Sequence, residues 1–214
     1  MSFITAYCHL QEDQCSVNGQ LVLERDKLSE DPWFKQIYKE RELVYPKFYK
    51  MDMLSQAGYL AEELMKRNDE GLFSGYGDDE IAMAFANQSA SADTDIRFVK
   101  SYAQEGTPSP SLFVYTLPNI VLGEIAILNK WYGENMFAVL PKFVPDFFLN
   151  NTQIFMSDHS KAVLCGWLEV LAGRIDVFLF FVEQNSEHGL VFNKENLEKI
   201  RQENLGAHLL QTQL

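Results

Sequence analysis

The chain has 214 residues, of which 47% are apolar and 22% are charged, and its formal charge is −12. This length and composition predict one globular domain over residues 1–214. The acidic excess argues against a nucleic-acid partner, because it would repel phosphates. No apolar run reaches 18 residues and no basic segment precedes the apolar start, so we expect neither a membrane span nor a signal peptide. Three cysteines without metal-type spacing indicate reduced thiols in a cytoplasmic protein, and we expect no metal or cofactor.

The first part of the chain predicts one strand and two helices. Residues 3–10 are apolar and rich in strand-forming side chains, which predicts a strand. Residues 29–45 begin with a Ser-Glu-Asp-Pro sequence, which is typical of a helix start. Apolar side chains in residues 53–67 recur at i, i+3 and i+4, so this segment predicts an amphipathic helix.

The middle of the chain alternates strands with helices. The apolar run Ile81–Ala86 predicts a buried parallel strand. A helix is expected over residues 95–104, and Gly106–Pro110 interrupts helical structure. Residues 119–131 carry the pattern of a second long helix, and Met136–Leu140 predicts another strand.

The last part of the chain continues this alternation. We expect a helix over Ser160–Leu171 that closes on Gly173, then the apolar strand Asp176–Val182, and a helix-prone tail from Asn193. Apolar strands alternating with helices indicate an α/β fold with a largely parallel sheet covered on both faces.

Four segments together resemble one protein family. They are residues 46–52, residues 87–95, the helix that begins at Thr116-Leu117-Pro118-Asn119, and the turn at 171–177. In this order they resemble the N-terminal half of β-ketoacyl-acyl-carrier-protein synthases, the condensing enzymes of the thiolase-like superfamily. The resemblance covers roughly residues 45 to 183. It implies a three-layer thiolase-like half with a mostly parallel five-stranded sheet and helices on both faces.

The resemblance also implies that the family's reactive groups are missing. In the family, a cysteine after the strand matching Met136–Leu140 carries the acyl chain, whereas here Lys142 stands approximately at that position. A lysine is cationic at its usual pKa and cannot form the thioester. Pro141–His159 is longer than the family's connection. The chain is also expected to end before the second half, which supplies two histidines, and no matching motif surrounds His9, His159, His188 or His208.

Cys165 is the one cysteine near this region. It is either a displaced nucleophile or a small apolar residue packed inside the helix Ser160–Leu171, and we favour packing because cysteine is commonly buried. Cys8 in the first strand is interpreted in the same way.

Two polar clusters have structural interpretations. Asp158, His159 and Ser160 are consecutive, so they cannot face one another as a catalytic triad, and we favour a helix cap. Alternating Ser and Asp residues over 89–95 lack the glycine and distal glutamate of a calcium loop, so a polar cap at a strand end explains them.

Two surface features bear on possible partners. An apolar group in the long connection is either core packing, a lid, or a contact surface for a partner or an acyl chain; it comprises Phe143, Phe147, Phe148, Ile154, Phe155 and Met156. The basic residues between positions 35 and 50 form the single candidate patch for an acidic acyl carrier protein, although a solvated surface is the favoured interpretation; they are Lys35, Lys39, Arg41, Lys47 and Lys50.

The resemblance leads to three functional hypotheses. The favoured one is a non-catalytic partner or chain-length-type subunit of a fatty-acid- or polyketide-like pathway. Such a subunit would form a homodimer, or a heterodimer with a ketosynthase, through Met136–Leu140. The alternative is an active 3-oxoacyl-acyl-carrier-protein synthase or acyltransferase completed by another chain. A small-molecule binding protein that uses the family's acyl pocket is the third.

Overall fold

The computed structural model shows a mixed β-sheet with helices on both faces. It describes residues 1–186 and 188–211. Side chains are described for all of these residues except 104, 105 and 203–211. The strands of the described residues are β1 (Ser2–Gln11), β2 (Gln14–Val17), β3 (Gln20–Glu24), β4 (Ile81–Asn87), β5 (Asn135–Val139), β6 (Ala162–Leu171), β7 (Arg174–Gln184) and β8 (Leu190–Val191).

The described helices lie mostly between the strands. They are α1 (Trp33–Glu40), a 3-10 helix (Pro46–Lys50), α2 (Met53–Asn68), α3 (Ala92–Glu105), α4 (Pro110–Val114), α5 (Ile120–Asn129), α6 (Pro145–Asp158) and α7 (Lys194–Gln211).

The strand order is β3-β2-β1-β7-β6-β4-β5, with β8 paired to β1. The strand β4 pairs in parallel with both β5 and β6, whereas the pairs β6–β7, β1–β7, β1–β2, β2–β3 and β1–β8 are antiparallel. The expected α/β fold with a doubly covered sheet is therefore confirmed. The expectation of five mostly parallel strands is wrong, because hairpins extend the sheet by antiparallel pairing.

Two hairpin turns explain this difference. Asn18 and Gly19 link β2 to β3 with φ values of 51° and 76°, and Ala172 and Gly173 link β6 to β7 with φ values of 52° and 88°. Two successive residues with positive φ form the tight turn whose twist matches an antiparallel hairpin. An Asn-Gly pair is a strong sequence signal for such a turn, and it marks a hairpin that the sequence interpretation missed.

The two faces of the sheet carry separate apolar cores. On one face, α1, α2 and α5 pack against the sheet, and side chains such as Leu60, Ile125 and Phe85 fill the interior. On the other face, α6 and α7 cover the sheet through Phe148 and Leu197, among others. These layers are the three-layer arrangement that the sequence led us to expect.

The segment Ser160–Leu171 is a strand, and the expectation of a helix there is wrong. Nearly all of β6 is buried on both faces, since α2 packs on one side and α6 on the other. The sequence of such a strand is a continuous apolar run, and its periodicity cannot distinguish it from a buried helix. Gly166 sits in its middle, where an added Cβ would lie 2.4 Å from Leu179 Cδ2, so any larger residue would force the packed side chains to shift.

Several helix boundaries also differ from the expectations. The helix expected over residues 29–45 is limited to α1, whose N-cap is Pro32 rather than a serine or aspartate. The long connection Pro141–His159 forms α6, and Asp158 is its last residue. The proposed cap of a following helix by Asp158 or Ser160 is therefore wrong, because α6 ends there and a strand follows.

Within the described part of the chain, no helix combines the length and apolar character needed to cross a membrane.

Candidate functional site

The carboxyl ends of β4, β5 and β6 lie at the same end of the sheet, because these three strands run in parallel. Open α/β sheets commonly bind ligands just beyond the carboxyl ends of their strands. Two connections converge there: the turn after β4, and the segment Leu140–Val144 between β5 and α6. Leu140 N donates to Asn87 O at 2.8 Å, which holds the second connection against the end of β4.

The turn after β4 is held by a buried carboxylate. Glu169 on β6 accepts hydrogen bonds from the backbone N–H groups of Gln88 (2.8 Å) and Ser89 (3.2 Å), and from the Ser89 hydroxyl. Asn87 closes the same turn, since its side chain bonds both the N–H and the C=O of Ala90. We interpret these contacts as structural, because the side chains of Glu169 and Asn87 form their hydrogen bonds with the backbone of the turn.

The remaining polar residues of this region belong to the start of α3. Ser91 occupies the N-cap position, and its hydroxyl donates to Thr116 O (2.5 Å) and contacts the Asp95 carboxylate (3.2 Å). Asp93 and Asp95 lie in the first turn of α3, where carboxylates interact favourably with the helix dipole. Among the described residues, no group of three or more acidic, histidine or cysteine side chains is arranged to hold a metal ion.

Lys142 lies in the segment between β5 and α6, close to the position predicted for the nucleophile. Its side chain is exposed and forms no ion pair with any described residue. The next residue points inward: the Phe143 ring stacks on Phe148 at 5.2 Å and meets Trp167 and Phe178 edge-on. The segment therefore presents an amine to solvent and an aromatic ring to the core.

A buried arginine covers the inner side of Phe143. The Arg201 guanidinium lies 5.6 Å from the ring centroids of both Phe143 and Phe178, and it donates twice to the Asp176 carboxylate. Stacking of this kind suits the planar guanidinium. The space beneath the segment is thus filled by packed side chains.

The three cysteines lie in the interior. Cys165 is on β6, fully buried, and its Sγ contacts Thr152 Oγ1 at 3.4 Å. Burial raises the pKa of its thiol to about 12. Burial likewise raises the pKa of Cys8, and it raises that of Cys15 to about 12. Because the nucleophile is the thiolate, all three cysteines are held in their unreactive form near neutral pH.

The described histidines do not complete a reactive site with Cys165. His9 is buried on β1, stacks on Phe178 at 4.5 Å, and is separated from β6 by β7. Burial, with a smaller contribution from Arg201, lowers its pKa to about 3, so its imidazole is neutral. Two strand spacings, about 10 Å, lie between β1 and β6. His188 is exposed, and the side chain of His208 is outside the described residues.

The sequence Asp158-His159-Ser160 does not form a triad. His159 Nε2 lies 3.2 Å from Asp79 Oδ2, and both of these side chains are exposed. Ser160 is buried at the start of β6.

Most side chains of the candidate basic patch are engaged by partners within the chain. Lys35 and Lys39 both bind the Asp31 carboxylate, at 2.7 Å and 2.5 Å, and Lys47 binds Glu124 at 2.7 Å. Arg41 donates to the backbone carbonyl of Val22. Lys50 remains exposed and forms no ion pair with a described residue, so the favoured interpretation of a solvated surface agrees with the geometry.

The apolar group of the long connection belongs mainly to the core. Phe148 and Phe155 are buried, and three further members are partly buried against the same core. The exception is Ile154, which is 61% exposed. Packing against the sheet therefore accounts for this group better than a lid does.

The strand β5 forms one edge of the sheet and is the clearest unpartnered feature. Met83 N donates to Glu134 O (2.9 Å), and Leu140 N donates to Asn87 O. Because bonding direction alternates along a strand, the backbone groups of Asn135, Phe137 and Val139 point away from β4. No strand of the described residues pairs with this outer row. Edges of this kind are templates for pairing with another chain.

Sequence comparisons find no relative: no protein-family model and no curated protein matches the chain. Comparison of folds does find similar solved structures. A structure described as the ishigamide ketosynthase/chain length factor has a TM-score of 0.63 at 15% identity, covering 87% of this chain and 63% of that one. A type II polyketide synthase acyl-carrier protein in complex with its ketosynthase gives a TM-score of 0.63 at 11% identity, covering 86% and 62%.

A β-ketoacyl synthase from Burkholderia phymatum gives a TM-score of 0.57 at 12% identity, covering 85% of this chain and 58% of that one. The chain therefore has the thiolase-like fold of ketosynthases and their chain length factors. It spans about three fifths of the length of these three structures.

Proposed function

We propose that the chain is a non-catalytic β-ketoacyl-synthase-like subunit, built on the N-terminal half of that fold, which pairs through β5 with a ketosynthase or with a second copy of itself. Its role would be that of a chain-length-type partner in a fatty-acid- or polyketide-like pathway. The fold supports the class of protein, and two structural features support the role: the inaccessible thiols and the open edge of β5.

The burial of the three cysteines supports a non-catalytic role. The segment after β5 carries a lysine, and the three thiols are buried with raised pKa values. Phe143 and Arg201 fill the space where a substrate would have to approach the ends of the strands.

The outer row of β5 supports strand pairing as the mode of assembly. With two copies related by a two-fold axis at Phe137, the pair Phe137–Phe137 and the two pairs Asn135–Val139 would all be hydrogen-bonded pairs. Each pair exchanges two bonds, so about six backbone hydrogen bonds would form. Phe137 is only partly buried, and pairing would bring the two rings together across the axis. A ketosynthase strand of similar length would satisfy the same row.

A proline substitution tests this assembly. Val139 is 56% exposed and its N–H faces outward, so Val139→Pro removes one bond from each copy, about two of the six in the homodimer, and leaves the bonds to β4 in place. The matched control Val139→Thr keeps both the N–H and the branched shape. We expect light scattering to give a dimer for the natural chain and for Val139→Thr, and a monomer for Val139→Pro.

The same variants test pairing with a ketosynthase. If the natural chain is a monomer alone, it should co-purify from its native lysate with a ketosynthase identified by mass spectrometry, and Val139→Pro should lose that partner. A monomer that captures neither a ketosynthase nor an acyl carrier protein would contradict the proposal.

Covalent labelling tests the missing catalysis. The chain is incubated with acyl-carrier-protein thioesters or with cerulenin, and its intact mass is measured. We expect no adduct. An adduct on Cys165 would instead support the alternative, an acyltransferase completed by another chain.

A further inference from the structure

A cavity of about 360 Å³ lies between α1, the 3-10 helix, the start of α2 and α3. None of its lining residues belongs to β5 or to the segment Leu140–Val144, so it is separate from the features on which the proposed function rests. Its volume is within the range of small-molecule sites.

Aromatic side chains form the walls of this cavity. Trp33, Phe34 and Phe48 are buried and line it, and Tyr49 lies exposed at the side. The walls are fixed: the Trp33 indole N–H donates to Gln11 O at 2.7 Å, and Phe48 stacks on the ring of Tyr38 at 4.4 Å. A preformed aromatic surface favours a flat ring, which can stack or pack edge-on.

Two methionines complete the apolar lining. Met51 is buried and Met53 is partly buried, and both line the cavity. Thioether sulfur makes favourable contacts with the edges of aromatic rings, and methionine adapts its shape to the ligand. The aromatic side chains and the methionines therefore both favour a ligand with an aromatic ring.

The charges at the cavity have one sign. The whole chain has 30 acidic and 18 basic residues, yet the lining holds Lys35 and Arg97 and no acid. Lys35 is engaged by Asp31 at 2.7 Å. Arg97 is exposed and forms no ion pair or hydrogen bond with any described residue. A free guanidinium beside an apolar cavity is complementary to a carboxylate, which it can bind with two parallel hydrogen bonds.

We propose that this cavity binds a small aromatic monocarboxylate, with its ring between the aromatic walls and its carboxylate on Arg97. At about 30 Å³ for each water molecule, the cavity has the volume of roughly a dozen waters, which is room enough for a ligand of about that many non-hydrogen atoms. A phenyl ring with a short unsaturated acid side chain has this size. The binding is independent of the pairing through β5.

Calorimetric titration of the purified chain with trans-cinnamate tests the proposal. We expect saturable binding with one site per chain. The neutral cinnamamide, of the same size, should bind about tenfold more weakly, because a hydrogen bond to a charged group exceeds a neutral one. Arg97→Gln should weaken cinnamate by about the same factor and abolish the preference for the acid. The matched control Lys100→Gln, three residues further along α3 and outside the lining, should bind as the natural chain does.

Filling the cavity provides a second variant. Met53→Trp should abolish binding of both compounds, with circular dichroism used to show that the fold is retained. If this variant fails to fold, the proposal is still tested by the affinities of cinnamate and cinnamamide for the natural chain and for Arg97→Gln. No saturable heat at millimolar cinnamate, or equal binding by the natural chain and Arg97→Gln, would overturn the proposal. Neither result would affect pairing through β5, which is measured separately by mass.

Discussion

The buried carboxylate of Glu62 should make the stability of the fold depend on pH. Glu62 is fully buried on α2, facing α5. One of its oxygens accepts from Lys66 Nζ (2.8 Å) and Asn129 Nδ2 (3.1 Å), and the other has no hydrogen-bond partner among the described residues. Glu63 lies beside the same lysine, at 3.0 Å. Loss of hydration therefore outweighs the attraction of Lys66, and burial raises the pKa of Glu62 from 4.5 to about 7.

The direction of the effect follows from proton binding. In the unfolded chain Glu62 loses its proton near pH 4.5, whereas in the folded chain it keeps the proton to about pH 7. The folded state thus holds more protons between these values, so the free energy of unfolding falls as the pH rises through this window. A difference of about 2.5 pH units at 1.36 kcal/mol each corresponds to roughly 3 kcal/mol.

The substitution Glu62→Gln isolates this contribution. Glutamine preserves the size of the side chain and removes its titration, so any constant change in hydrogen bonding cancels when two pH values are compared. We expect the unfolding free energy of the variant minus that of the natural chain to rise by about 3 kcal/mol between pH 4.5 and 8. Urea unfolding at half-unit pH intervals measures it.

A second variant checks the cause. Asn129 donates to the Glu62 carboxylate and so lowers its pKa, which means that Asn129→Ala should move the pH-dependent step to higher pH. A flat difference between Glu62→Gln and the natural chain would refute the argument. A difference of the opposite sign would show that the ion pair with Lys66 dominates desolvation.

Three further predictions concern the core of the proposed site. In the folded chain we expect no thiol to react with a disulfide reagent at pH 7, and full reaction after denaturation, because burial keeps Cys165 and the other thiols protonated; rapid labelling of Cys165 in native conditions would contradict this. Glu169→Gln removes a carboxylate that accepts three hydrogen bonds, so urea unfolding should show a loss of about 2 kcal/mol, with faster amide exchange at Ser89. Arg201→Gln leaves the Asp176 carboxylate without its cation and should lower the unfolding free energy by about 3 kcal/mol. Hydrogen exchange would then report earlier opening of α7, and unchanged exchange there would exclude this role for Arg201.

Much of the architecture was predictable because the patterns were local. The apolar stripe of residues 53–67 and the helix pattern over 119–131 correspond to α2 and α5, and Met136–Leu140 corresponds to β5. Ile81–Ala86 was predicted as a buried strand, and all of β4 is buried. In these segments, periodicity and burial lead to the same assignment.

The errors arose where tertiary contacts decide the structure. The run Ala162–Leu171 is apolar at nearly every position because helices cover β6 on both faces, so its pattern could not distinguish a strand from a helix. One sequence signal favoured a strand, namely Gly166 in its interior, whereas the hairpin turn at Ala172 and Gly173 is evident only from their positive φ values in the structure. The long-range contacts of the site, such as Arg201 with Phe143, join residues far apart in the chain and have no local signal.

The corrected assignment of β6 strengthens the case against catalysis by Cys165. On a helix at the end of a strand, a thiol could gain acidity from the helix N-terminus. On the interior strand β6, it is instead enclosed between the sheet and α6, with Thr152 as its polar contact. The helix that directly follows β5 is α6, and the segment leading into it carries Lys142 and the inward-facing Phe143. Reactivity at Cys165 would therefore require α6 to move off the sheet, at the expense of a core that includes Phe148 and Phe155.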